Sequence, residues 1–244
     1  MKDEVFTVEK YNGSKNTENI LCFLMPEYKR IFEKNKMLGE PCVIYNDANA
    51  ECPMLIINET PVRIRLSLPD TALWAKTIYQ LSHELCHYAI RQYKVDKATT
   101  LNWFEEIFCE AMSLYALYYS QINWGECSLS RNDYSYRFGI KDYLNKVLNF
   151  EASDSLKNCT TIDMLREYNR IAEKDRAGHL NERNELYEAI KKEPCSAKIL
   201  CDYQKYIVAS SEVVVDFEKW YAETGHPIIC TFGSFQKVKS LTTV

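Results

Sequence analysis

Apolar residues along this chain change their spacing several times, and each change marks a predicted element. Residues 17–37 carry Leu21, Leu24, Tyr28, Ile31 and Phe32 at helical intervals. Pro26 is expected to bend that helix and Gly39 to end it. Three short strands follow, over 42–45, 54–57 and 62–68. The last alternates cleanly, with Val62, Ile64, Leu66 and Leu68 on one face and Arg63, Arg65 and Ser67 on the other. That pattern predicts a half-buried antiparallel strand. Pro69 and Asp70 stop it, and Asp70 is placed to cap the next helix.

That helix spans 71–93 and is apolar nearly all round, through Leu73, Trp74, Ile78, Leu81, Leu85 and Ile90. A helix of this kind is buried. After a polar linker, a second long helix starts at Asn102, with Asn102 as cap and Glu105 in the capping-box position. Glu106, Glu110, Ser113 and Leu117 share one of its faces, and Phe104, Phe108, Ala111 and Tyr115 another. Beyond Gln121, helical spacing recurs over 142–150, 161–176, 181–192, 196–209 and 212–222. The expected fold class is α+β. A small, mostly antiparallel sheet packs on the buried helix and the glutamate helix (residues 1–125), and a helical subdomain (126–244) closes one side of a cleft.

Composition narrows the function classes. Hydrophobic content of 46% over 244 residues suffices for a sizeable core. The net charge is −4, with Lys and Arg spread along the chain. No basic block is present, so nucleic acid is not an expected partner. No stretch approaches the roughly 20 apolar residues of a membrane span, and the first residues do not resemble a secretion signal. Ten cysteines are scattered without a CxxC pair, which fits reduced thiols and a cytoplasmic setting.

The chemistry concentrates at His83-Glu84-Leu85-Cys86-His87, an HExxH segment holding two of the four histidines. Residues i and i+4 share a helix face, so both imidazoles can reach one ion, while Glu84 can act on a water activated by it. A His₂Glu zinc site needs a further carboxylate from elsewhere. Glu106 follows His87 after 18 intervening residues (88–105), enough for the chain to turn and return. Glu110, one helical turn on, is placed to accept the outer N–H of a ligand histidine and fix its tautomer.

On these residues the chain resembles the gluzincin metallopeptidases, the thermolysin-like and aminopeptidase-like clan. They share HExxH, about 18 residues, then Glu, often with an acid four residues later. Trp103-Phe104-Glu105-Glu106-Ile107-Phe108-Cys109 is similar to the aminopeptidase run Trp-Leu-Asn-Glu-Gly-Phe-Ala, with Glu105 for Asn and Ile107 for Gly. The resemblance covers roughly residues 40–115. It implies one Zn²⁺ per chain held by His83, His87 and Glu106, with Glu84 as general base, Glu110 supporting a ligand, and a peptide or protein as substrate. No Gly-x-x-Glu-Asn segment is present to anchor a free amino terminus, which leans toward an endopeptidase-like site. The resemblance also implies that the strand before the active-site helix rims the cleft. If that strand is a sheet edge, it offers backbone groups to an extended peptide, with Arg63 and Arg65 favouring acidic residues.

Such sites use another donor for the developing oxyanion. His226, in Gly225-His226-Pro227, is the first candidate, followed by Tyr134, Tyr136 and Tyr143; capping the end of a helix is the competing role for His226. His179 lies in a polar run and is expected to be solvated. Two other readings stay open. One is a regulatory protease resembling the ImmA/IrrE group, although no companion helix-turn-helix is found. The other is a zinc-bearing scaffold that binds a peptide without cutting it, a role with no need of Glu84.

Overall fold

The computed structural model describes residues 5–94, 99–149, 156–174, 179–209, 211 and 213–236. The chain divides into two compact units, Met1–Gln92 with Met112–Leu148, and Tyr93–Ala111 with Asn149–Val244. The architecture is α+β, with a four-stranded sheet in the first unit.

In the first unit the chain runs β1 (Phe6–Val8), α1 (Ser14–Phe32), β2 (Cys42–Asn46), β3 (Met54–Ile56), β4 (Val62–Leu66) and α2 (Trp74–Tyr93). Helix α3 (Asn102–Asn123) then crosses from the second unit into the first, and α4 (Tyr136–Leu148) follows. The strand order is β1-β2-β4-β3. β1 with β2 and β2 with β4 are parallel, and only β3 with β4 is antiparallel. The sheet is therefore mixed rather than mostly antiparallel. For β1 and β2 the reason is α1, which carries the chain from the end of β1 back to the start of β2, a crossover that makes these two strands parallel. Alternation along β4 does not report this, because an inward–outward period of two is common to both strand senses.

Val62, Ile64 and Leu66 are buried and Arg63 and Arg65 half-buried, as the alternation predicts. β4 lies between β2 and β3 and so is not an edge; β3 is the outer strand beside it. The Arg63 guanidinium is held within this unit, 2.5 Å from Glu9 and stacked 4.3 Å from the Tyr45 ring centre. This pairing takes up the charge that was expected to meet an acidic substrate.

Helix α1 passes through Pro26 without ending. Cys22 and Pro26 are both exposed, so the carbonyl that loses its N–H partner at the proline lies on the wet face of the helix. α2 is pinned at two points. The Gln80 side chain accepts from the Ser67 N–H (2.9 Å) and donates to the Ser67 carbonyl (3.1 Å), tying the helix to the chain just past β4. The Tyr28 hydroxyl donates to the Ser82 carbonyl at 2.9 Å, tying α2 to α1 one residue before the HExxH segment.

The second unit holds the first half of α3 with α5 (Ile162–Lys174), α6 (Leu180–Lys192), α7 (Ala197–Leu200), α8 (Phe217–Thr224) and α9 (Pro227–Gly233). Its core is aromatic: Phe104 stacks on Tyr203 at 4.6 Å and on Phe232 at 4.0 Å, and Trp220 is fully buried beside them. The start of α3 has partners beyond its own first turn. The Leu101 carbonyl accepts the N–H groups of Phe104 and Glu105, and the Glu105 carboxylate takes the Tyr203 hydroxyl at 2.5 Å. The helix expected over 212–222 begins only at Phe217, capped by the Asp216 side chain, which accepts from the Lys219 N–H. The preceding Val214-Val215 is extended and bridges Ile207, the backbone that β-branched residues favour.

Candidate metal centre

His83, Glu84 and His87 all lie on α2, within one turn of each other. His83 and Glu84 are buried and His87 is half-buried. The two imidazoles point their Nε2 atoms at the same place, 3.1 Å apart, with ring centres 4.8 Å apart. Two nitrogens each about 2.05 Å from one tetrahedral ion lie about 3.3 Å apart, so the observed spacing is close to that of a shared ligand position. Glu106, exposed on α3, completes the group: one ligand atom from each of His83, His87 and Glu106 lies within 4.8 Å of the others. Among the described residues this is the one cluster of three such side chains able to hold a metal ion. Two imidazoles and a carboxylate form a donor set that suits zinc, and the residues present therefore fit the ion.

Glu110 stands one helical turn beyond Glu106, and its carboxylate faces Arg183 of α6 at 3.8 Å. The buried Arg183 is a partner of Glu110 that no short motif announces. Burial pushes the Glu110 carboxyl up to about 7 against the opposing pull of Arg183. His179, expected to be solvated, is buried at 6% exposure. It packs edge-on against Tyr168, with ring centres 5.0 Å apart. Burial lowers its imidazole to about 4, opposed by the nearby Glu106 carboxylate. The spacing of His179 and Arg183, i and i+4 about the start of α6, was the available signal. Their burial was not visible in a polar run.

These two shifts have opposite consequences for stability in metal-free protein. The His179 contribution is complete above pH 6.5 and is lost as pH falls through about 4. The Glu110 contribution is complete below pH 4.5 and is lost as pH rises through about 7. Glu110→Gln is therefore expected to flatten the decline in stability between pH 4.5 and 7, read by urea unfolding of chelator-treated protein. A slope equal to that of the parent would show that the carboxyl titrates normally.

The other candidate donors lie as follows. His226 caps α9, its Nδ1 accepting from the Ile228 N–H at 3.3 Å and its Nε2 lying 3.7 Å from Glu193. The Tyr136 hydroxyl accepts from the Ala75 N–H, Tyr143 packs on Tyr79, and Tyr134 is exposed.

Comparison of the chain with protein-family models, with curated proteins and with solved structures finds no match. No helix among the described residues is long and apolar enough to cross a membrane. The class of protein therefore rests on the site's own chemistry.

Proposed function

We propose that this chain is a zinc-dependent peptidase, with His83, His87 and Glu106 holding the ion and Glu84 acting as general base. The observation that carries this reading is the convergence of the two Nε2 atoms and the Glu106 carboxylate. When bound, zinc supplies Lewis acidity, polarising a carbonyl and acidifying a water. Glu84 neighbours His83 on the same buried helix turn and so stands beside the ion position. It takes the proton of the attacking water and hands it to the departing amine, and both transfers need a base held within hydrogen-bond reach.

The sheet supports an extended peptide as the substrate. β3 is the outer strand beside β4, with Met54 and the adjoining Ile57 exposed at 45% and 49%. An extended peptide can add to such an edge by backbone hydrogen bonds, with alternate side chains facing apolar ground.

The first test is metal content, by mass spectrometry of protein purified without chelator or metal-affinity tag. The expected result is about one zinc per chain in the parent and loss of that zinc in Glu106→Ala. A parent that holds no zinc, and takes none up on addition, overturns the reading.

A further inference from the structure

Arg63 and Arg65 lie two residues apart on β4 and so point to the same face of the sheet, yet they end in different states. Arg63 is neutralised, with Glu9 at 2.5 Å and Glu59 at 3.8 Å. Arg65 makes no ion pair among the described residues; the one hydrogen bond of its side chain runs from Nη2 to the Cys52 carbonyl at 3.5 Å. Its Nε is shut off from solvent and has no hydrogen-bond partner among the described residues. Arg65 is half-buried, so water screens its charge less than that of an exposed arginine, and it attracts a carboxylate more strongly.

The register turns Arg65 toward the outer edge of the sheet. Across the strands it stands beside Tyr45 of β2 on one side and Met54 of β3 on the other. Its guanidinium leans to the β3 side, because Cys52 belongs to the chain that enters β3 at Met54. Arg63 leans the opposite way, over the Tyr45 ring and toward Glu9. β3 is the outer strand and has β4 as its one neighbour in the sheet. A peptide paired to its far side sends every second side chain to the face that holds Met54 and Arg65. That added strand lies about 10 Å from β4, twice the roughly 4.8 Å between neighbouring strands. The Arg65 side chain already crosses the first of these spacings to reach Cys52, and an acidic side chain reaches back across the second.

We propose that Arg65 is a specificity-determining residue, which selects an extended peptide carrying Asp or Glu at one outward position of the strand added to β3. Met54, 45% exposed beside Arg65, offers apolar ground to the stem of that side chain. Arg63 takes no part, because Glu9 and Glu59 already hold it. This inference rests on the peptidase reading, whose substrate it narrows.

The test is cleavage of a terminally blocked peptide library by the zinc-loaded full chain, so that side chains supply the only carboxylates. The parent is expected to favour Asp or Glu at one subsite by about 10-fold in kcat/KM over the matching Asn or Gln peptide, the scale of a hydrogen bond between charged partners. In Arg65→Gln that preference disappears, and in Arg65→Glu it inverts toward Lys and Arg at the same subsite. Arg65→Lys keeps the charge without the planar fork and retains part of the preference. A parent that cleaves the library with no acidic preference overturns the proposal and leaves the peptidase standing. A preference that Arg65→Gln keeps in full overturns it in the same way. Should the Gln variant fail to fold, Arg65→Met keeps the apolar stem and reads the same ratio. A zinc-loaded parent that cleaves nothing removes the peptidase reading itself, and this inference with it.

Discussion

Glu84→Gln is expected to keep its zinc and to lose peptide hydrolysis by about 10²- to 10⁴-fold, the range that a positioned base contributes. The substitution preserves volume and hydrogen-bonding capacity at a buried site, so the fold and the ligands His83 and His87 are left in place. What it removes is the ability to take a proton. The amide cannot relieve the attacking water of its proton, and it has none to give to the leaving amine. The measurement pairs metal content with cleavage of a mixed peptide library, parent against variant, at equal zinc occupancy. Full occupancy with parent-like cleavage would remove Glu84 from the mechanism. Full occupancy with no cleavage in either protein would favour a scaffold that binds peptides without cutting them.

Phe104→Ala is expected to cost about 3–5 kcal/mol of stability, the range for truncating a buried aromatic residue. Phe104 is fully buried and stacks on both Tyr203 and Phe232, so its loss leaves a cavity with rings on two sides. Tyr203 also holds the Glu105 carboxylate and the Leu101 N–H, so a shift of that ring loosens the first turn of α3. Glu106 follows directly in that turn. The same variant is therefore expected to bind zinc more weakly at temperatures where it is still folded. Urea unfolding reads the first effect and chelator competition the second. A loss below about 1 kcal/mol would show that the aromatic cluster closes over the gap, as well-adapted cores sometimes do.

The candidate site was legible because its grammar is local. HExxH places His83, Glu84 and His87 by helical period alone, and no distant packing is needed to bring i and i+4 to one face. Glu106 came from a spacing that lets a second helix return, and its ligand atom does lie with those of the histidines. Partners far along the chain were not legible in local pattern: Glu110 meets Arg183, 73 positions later by their numbers (183 − 110), and Glu105 meets Tyr203. His179 looks like any solvated residue of a polar run until α6 and Tyr168 cover it.

The sheet divides in the same way. Inward and outward positions of β4 follow from the pleat, which alternates whatever the neighbouring strand does. Strand order and direction depend on how the chain passes between strands across the whole first unit, and here β3 rather than β4 is the outer strand. The sequence by itself thus determined the α+β class, the buried helix that carries HExxH and the side chains its spacing presents, because backbone periodicity acts over a few residues. The tertiary structure alone decided the parallel pairings and the burial of Arg183 and His179, because burial and partnership are set by segments that meet only when the chain is folded.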